Sequence, residues 1–143
     1  MIKHWGYYIV LFKDKHFKVK LLVISPKKQF SLQRHNFRSE HWIVVEGCGE
    51  VILDDSSFLL KENHSVYIKR KQLHQLKNPL DNKLKVIEIQ YGVKLKESDI
   101  ERFNTRIKIK RRLITLKHGI NFANIKGLLP KIFTKRQNID FKK

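Results

Sequence analysis

Four side chains able to bind a metal ion occur in two parts of the sequence. Gln33 and His35 are two residues apart, Glu40 follows them closely, and His74 lies in a later segment. Residues two apart on a β-strand point to the same face, so Gln33 and His35 can share one site. Two imidazoles, a carboxylate and an amide oxygen suit a divalent cation such as Zn²⁺, Mn²⁺, Fe²⁺ or Co²⁺. We therefore expect these four residues to hold one divalent metal ion.

The spacing of these residues carries more weight than any one of them. The chain has seven histidines, and an isolated histidine is usually an ordinary hydrogen-bonded residue. Here Glu40 is followed by Gly47, and His74 is followed by Asn78, all between strand-like segments. The combined pattern indicates a metal site where its separate members would not.

The elements that must position these residues are predicted to be short β-strands. Turn residues separate them, including Ser25-Pro26, Gly47-Cys48-Gly49 (read as a hairpin-like turn) and Asp54 to Ser57. Many short strands at regular spacing are typical of an all-β sandwich or barrel. The predicted strands are residues 7–12, 17–21, 41–46, 50–53, 58–60, 66–68 and 83–91.

The C-terminal part has a different pattern. Ser98 followed by acidic residues predicts a short helix over residues 98–103, and residues 119–133 predict a modest helix interrupted at Pro130. From residue 104 onward the sequence has 12 Lys/Arg against one acid, Asp140. We therefore divide the chain into a domain of residues 1–103 and a basic C-terminal extension of residues 104–143.

Composition narrows the classes of function. A length of 143 residues suits one main domain, and Cys48 as the one cysteine excludes an internal disulfide. No apolar run is long enough to span a membrane, and the N-terminal segment lacks a signal-peptide core, so a cytoplasmic location is expected. The net charge of +18 favours anionic partners, among which phosphorylated metabolites and anionic membrane surfaces stay open. Aromatic residues for base stacking are sparse in the extension, which argues against nucleic acid.

Several separate stretches resemble one known family. The order Gln-x-His, Glu, Gly, His, Asn is similar to the two-part cupin signature, with Gln33 in place of its first histidine. Residues 31–42, Ser-Leu-Gln-Arg-His-Asn-Phe-Arg-Ser-Glu-His-Trp, resemble a segment of type II mannose-6-phosphate isomerases. Residues 4–8, 17–20, 59–65, 78–79, 86–90 and 99–103 resemble further segments of the same family.

The resemblance implies a cupin fold, a double-stranded β-helix or jelly-roll barrel. It implies a metal-dependent isomerase that interconverts mannose 6-phosphate and fructose 6-phosphate and feeds GDP-mannose and polysaccharide precursor synthesis. In the family this domain usually follows a guanylyltransferase domain, so we expect a separate guanylyltransferase as a partner. A homodimer is expected by analogy with other cupins.

The resemblance also implies roles for individual residues. Gln33, His35, Glu40 and His74 match the metal ligands. Glu88 is the candidate base, although an outward-facing charge on an alternating strand is an equal alternative. Arg38 and Arg102 are candidate partners of the phosphate or the enediolate, with a solvated surface position as their alternative. His41 and Asn63 match further polar positions, for catalysis and substrate binding respectively.

Several departures from the family keep a second hypothesis open. Pro26-Lys27 stands where the family has Pro-Gly, and Lys69-Arg70-Lys71 stands where it has Pro-x-Gly. The family's closing Tyr-Gly-Arg has no counterpart unless Arg106 or Arg111 replaces its arginine. The alternative is therefore a weak or inactive cupin that binds sugar phosphates, or regulates a separate guanylyltransferase.

Overall fold

The computed structural model describes residues 1–103, which form eleven β-strands and one short 3₁₀ turn, Glu97–Asp99, just before the last strand. The strands are β1 (Ile2–Lys3), β2 (Gly6–Lys13), β3 (Phe17–Ile24), β4 (Leu32–His35), β5 (Arg38–Glu46), β6 (Cys48–Leu53), β7 (Ser56–Lys61), β8 (Ser65–Ile68), β9 (His74–Lys77), β10 (Leu84–Gly92) and β11 (Ile100–Phe103). Each segment that the sequence predicts as a strand contains or overlaps one of them.

The strands form two antiparallel sheets. The first has six strands in the order β1-β2-β3-β10-β5-β8, and the second has five in the order β11-β4-β9-β6-β7. From β3 onward the chain passes repeatedly from one sheet to the other. This alternation places β4, β5 and β9, which carry the predicted metal ligands, in two sheets whose inner faces meet. The all-β prediction is confirmed.

The core lies between the sheets and follows the two-residue period of the strands. Trp42 and Val44 of β5, Val86 of β10 and Leu76 of β9 are fully buried and belong to one apolar cluster. Burying an aromatic side chain as large as that of Trp42 contributes about 3 kcal/mol.

Gly47 does not lie in a hairpin, which corrects the sequence interpretation. The strands on either side, β5 and β6, belong to different sheets and do not pair. Gly47 has a φ of 88°, a backbone region that glycine enters with little cost. Glycine at position 47 therefore allows the chain to cross from one sheet to the other. The turn at Asp54 and Asp55 does join a paired hairpin, β6–β7.

The helix predicted for residues 98–103 is wrong. Ile100–Phe103 pairs as β11 with β4, which satisfies its backbone groups in a ladder. The Asp99 carboxylate accepts hydrogen bonds from the backbone N–H groups of Asn36 and Phe37, at 3.1 and 3.2 Å, rather than capping a helix. The helix predicted for residues 119–133, the basic extension, and Arg106 and Arg111 lie outside the described residues. Within residues 1–103, no helix is long and apolar enough to cross a membrane.

The two lost family glycines correspond to two strained lysines. Lys27 and Lys71 have φ angles of 58° and 63°, in the left-handed region that glycine favours. The backbone N–H of Lys71 donates to the carbonyl of His35 at 2.7 Å. The fold thus keeps the turn geometry of a glycine at these positions although the residue is lysine.

Candidate metal centre and cavity

Three of the four predicted metal ligands form one buried group. The distance between His35 Nε2 and Glu40 Oε1 is 3.0 Å, and that between His74 Nε2 and Glu40 Oε2 is 3.7 Å. One ligand atom from each residue lies within 4.8 Å of the others. All three side chains are at most 2% exposed. This group, called the His35/Glu40/His74 cluster below, could bind a metal ion.

The hydrogen bonding of His74 fits that role. His74 Nδ1 lies 2.9 Å from the backbone carbonyl of Gln72, so the N–H is on Nδ1 and Nε2 presents a lone pair. That buried Nε2 has no hydrogen-bond partner among the described residues. A buried polar atom without a partner is costly, and a cation between the histidines and Glu40 would remove this cost.

The strand registers explain why these side chains meet. Gln33 of β4 pairs directly with His74 of β9, and antiparallel partners project to the same face. Glu40 of β5 lies on the inner face of the opposite sheet and pairs with Gln90 of β10. Gln33 is half-buried, lines the cavity described below, and accepts a hydrogen bond from the Ser31 hydroxyl at 3.4 Å. As a metal ligand, Gln33 stays a prediction.

Glu40 is held as a carboxylate by its surroundings. Burial acts to raise the pKa of Glu40. The hydrogen bond and charge of His35, together with the charge of Arg38, outweigh burial and hold the pKa of Glu40 well below its usual range. An anionic oxygen donor beside two imidazoles is the donor set that a divalent cation requires.

Arg38 is buried beside the cluster and is not a surface residue. It is 2% exposed, and its Nε donates to Glu40 Oε1 at 3.1 Å. Its Nη1 donates to the carbonyl of Lys96 at 3.0 Å and lies 3.7 Å from an Asp99 carboxylate oxygen. The solvated-surface alternative for Arg38 is therefore excluded. The N–H groups of the Arg38 guanidinium already contact protein groups. These contacts favour a role in orienting Glu40 over a role in binding a phosphate.

Glu88 points into the protein, which excludes the outward-facing alternative. It is 5% exposed and accepts hydrogen bonds from Trp42 Nε1 at 3.2 Å and from Gln90 Nε2 at 2.8 Å. Burial, and next the charge of Glu40, raise the pKa of Glu88 to about 7. Both donors also reach Glu40, at 3.2 Å each, so two side chains link the candidate base to the cluster.

Lys20 is a functional candidate that the sequence analysis missed. Its ammonium lies 3.5 Å from Glu88 and 3.2 Å from Glu97, and it is 4% exposed. Burial acts to lower the pKa of Lys20, but the two carboxylates outweigh it and raise the pKa. The signal was available, because Lys20 is in phase with the buried Leu22 and Ile24 on β3.

A cavity of about 290 Å³ opens beside the cluster. Glu88 and Gln90 are buried lining residues, at 5% and 2% exposure, and are called the floor of the cavity below. Gln90 Nε2 also donates to Glu40 of the cluster. Trp5, Tyr8 and Phe30 supply apolar walls, and further lining residues are Lys3, His4, Lys20, Leu22, Ser31, Gln33, Glu97, Ile100 and Arg102. The volume is near the lower end of the range for small-ligand sites, about 300–1,000 Å³.

Two of the predicted site residues, His41 and Asn63, lie away from both the His35/Glu40/His74 cluster and this cavity. Glu40 faces inward on β5, so His41 faces outward, where its ring lies 4.5 Å from that of Tyr67 and is exposed. Asn63 is an exposed turn residue with a φ of 62°, and its backbone N–H donates to Val44. The catalytic role expected for His41 and the substrate contact expected for Asn63 disagree with these positions. Arg102, in contrast, lines the cavity.

Relatives of the chain include bacterial alginate and xanthan biosynthesis proteins and a mannose-1-phosphate guanylyltransferase. The alginate biosynthesis protein AlgA of Pseudomonas fluorescens is 46% identical over 121 residues, covering 85% of this chain and 24% of that protein. The xanthan biosynthesis protein XanB of Xanthomonas campestris is 46% identical over 99 residues, covering 69% and 21% respectively. The mannose-1-phosphate guanylyltransferase RfbM of Salmonella typhimurium is 37% identical over 106 residues, covering 74% and 22%. The chain spans about a fifth of the length of these curated relatives.

Solved structures support the fold. A cupin-2 domain protein from Rhodospirillum rubrum superposes with a TM-score of 0.60 at 16% identity, covering 69% of this chain and 66% of that one. The cupin domain of Cnp3 from Schizosaccharomyces pombe gives a TM-score of 0.56 at 14% identity, covering 59% and 63%. The cupin prediction is thereby confirmed. The family described as mannose-6-phosphate isomerase C-terminal matches residues 1–105, and the chain belongs to this family.

Proposed function

We propose that the chain is an aldose–ketose isomerase that interconverts mannose 6-phosphate and fructose 6-phosphate. The observation that carries the proposal is the position of Glu88, a buried carboxylate on the floor of a sugar-sized cavity. Hydrogen bonds through Trp42 and Gln90 join Glu88 to Glu40 of the His35/Glu40/His74 cluster. Membership of the mannose-6-phosphate isomerase C-terminal family supports the same reaction class.

The reaction moves one proton between two neighbouring carbons. Glu88, as a carboxylate, takes the proton from C2 of the open-chain aldose while solvent water gives a proton to the carbonyl oxygen on C1, which yields a cis-enediol. The C2 hydroxyl then gives its proton back to solvent, and Glu88 returns its proton to C1, which yields the ketose. A single carboxylate can serve both carbons because they are adjacent on one face.

Other residues of the chain set the conditions for this transfer. Trp42 Nε1 and Gln90 Nε2 hold the Glu88 carboxylate in place through their hydrogen bonds. Lys20 supplies a buried positive charge 3.5 Å from Glu88, which favours negative charge developing on a substrate oxygen nearby. His35, Glu40 and His74 would hold a divalent ion, and such an ion acts as a Lewis acid that polarises a carbonyl oxygen.

The test is an isomerase assay with matched variants. Purified protein, loaded separately with Zn²⁺, Mn²⁺ or Co²⁺, is incubated with mannose 6-phosphate, and fructose 6-phosphate formation is measured. We expect turnover with at least one ion and a loss of at least about 100-fold in kcat for Glu88→Gln, the scale of general base catalysis. Glu46→Gln is the control, since that half-exposed carboxylate pairs with Lys85 on the surface. Lack of turnover with every ion would reject the proposal.

A further inference from the structure

We propose that Lys3, together with Arg102, forms an anion-binding wall of the cavity that holds the phosphate group of the substrate. The identity of the substrate as a hexose phosphate rests on the proposed function. The anion-binding wall itself is argued from the positions and charges of these two residues. It assigns a binding role to the N-terminal strand β1, which the sequence analysis left without a function.

Lys3 reaches the cavity from β1. The β1–β2 pairing joins Lys3 to Gly6 in register, which leaves the Lys3 side chain beside a residue that has none. Its ammonium lies 5.9 Å from the centroid of the Tyr8 ring, and both residues line the cavity. Lys3 is half-buried, so its charge is held near the cavity rather than free in solvent.

Arg102 reaches the same cavity from the other sheet. It lies on β11, in register with Gln33 of β4, and antiparallel partners project to the same face. Both residues line the cavity, and Arg102 is exposed at the surface. The forked N–H donors of a guanidinium match a pair of phosphate oxygens, so Arg102 suits binding a phosphate at the exposed end of the cavity.

The charges on the cavity wall leave these two cations available for a ligand. Lys20, the third cation of the lining, is paired with Glu97 and Glu88. Within residues 1–103, neither Lys3 nor Arg102 forms an ion pair with a carboxylate. Among the described residues, a lysine and an arginine without a carboxylate partner thus face one cavity, and their charges create a positive potential suited to an anion.

The arrangement also separates the two ends of the ligand. The candidate base, Glu88, lies on the floor, whereas Lys3 and Arg102 lie on the wall with greater exposure. A hexose 6-phosphate has its phosphate on the carbon farthest from the carbonyl end. The cavity volume of about 290 Å³ suits a single sugar, since nucleotide-sized ligands need the larger sites.

The experiment measures anion affinity separately from turnover. Binding of inorganic phosphate, mannose 6-phosphate and unphosphorylated mannose is followed by the fluorescence of Trp5, which lines the cavity, and by calorimetry. We expect Lys3→Met and Arg102→Met each to weaken the binding of inorganic phosphate and mannose 6-phosphate about tenfold, the scale of one charge-assisted hydrogen bond. Mannose binding should not change. In the isomerase assay, KM for mannose 6-phosphate should rise about tenfold, with kcat changed much less.

Two further variants exclude trivial explanations. Lys83→Met removes an exposed lysine that does not line the cavity and should leave phosphate affinity unchanged. Lys3→Arg keeps the positive charge and should restore most of the affinity. Unchanged mannose binding by Lys3→Met excludes a folding defect in that variant.

The outcomes distinguish this inference from the proposed function. Turnover by the wild type with the same KM in Lys3→Met and Lys83→Met would overturn the anion-binding wall and leave the isomerase proposal standing. Phosphate binding that depends on Lys3, without any turnover, would support the wall and reject the isomerase. Absence of any phosphate binding by the wild type would overturn the wall.

Discussion

Replacing Lys71 by glycine is expected to stabilise the protein although it removes a side chain. Lys71 has a φ of 63°, and its backbone N–H donates to the carbonyl of His35 at 2.7 Å. The same turn presents the carbonyl of Gln72 to His74 Nδ1 at 2.9 Å. Lys71 therefore fixes a turn whose backbone contacts both histidines of the cluster. The hydrogen bond from the Lys71 backbone N–H to His35 does not need the lysine side chain, so it persists in Lys71→Gly.

The expected increase in the free energy of unfolding is the difference between two opposing effects. A non-glycine residue in the left-handed region costs about 1–2 kcal/mol relative to glycine. Glycine makes the unfolded chain more flexible, which costs about 0.4–1 kcal/mol. The net increase in the free energy of unfolding is therefore about 0.5–1 kcal/mol. With an m value of about 2 kcal/mol per M, the urea midpoint should rise by about 0.4 M.

The assay is equilibrium urea unfolding of metal-free protein, so that metal binding does not contribute to the stability difference. The matched control is Arg70→Gly in the same turn, because Arg70 is exposed and is not among the positive-φ residues. Arg70→Gly should lower the free energy of unfolding by about 0.4–1 kcal/mol through the unfolded state alone. Equal destabilisation by Lys71→Gly and Arg70→Gly would refute the reasoning.

Three further predictions concern the site. Metal-free protein titrated with Zn²⁺ to about 100 times the dissociation constant should gain about 2.7 kcal/mol of stability, or about 5–10 °C in Tm; an unchanged Tm would argue against a metal centre. His74→Ala should weaken metal binding by more than about 100-fold, since changes outside the ligand shell already cost 10–100-fold, whereas His41→Ala should bind like wild type when metal content is measured by mass spectrometry. Because burial raises the pKa of Glu88 to about 7 and a base acts only when ionised, kcat should rise with pH through an acid limb at or below about pH 7; a kcat that falls as pH rises from 5 to 7 would contradict this assignment.

Much of the fold could be predicted from the sequence because the signals are local. Alternating segments such as residues 83–91 have the period of a half-buried strand, and the structure forms β10 there. The hairpin interpretation of Gly47 failed because a glycine turn looks the same whether the next strand pairs with the previous one or crosses to another sheet. The helix predicted at residues 98–103 failed because pairing with β4, a non-local contact, outweighs a favourable helix start.

The site was predicted less completely, for a different reason. His35, Glu40 and His74 were identified from spacing, and the structure brings them together. The inward position of Glu40 also decides the outward position of His41, so these two neighbours could not both serve the same site. The alternation of β3 places Lys20 in phase with the buried Leu22 and Ile24. The charged partners of Lys20 and Asp99, however, lie on other elements, and no local pattern reveals those partners.

The most direct test of the account is hydrogen exchange at C2 of mannose 6-phosphate in D₂O, followed by proton NMR. We expect the metal-loaded protein to replace the C2 proton by deuterium, and Glu88→Gln or removal of metal by a chelator to abolish the exchange. Exchange that continues unchanged in Glu88→Gln, or no exchange in the metal-loaded wild type, would contradict the assignment of Glu88 as the base in this cavity.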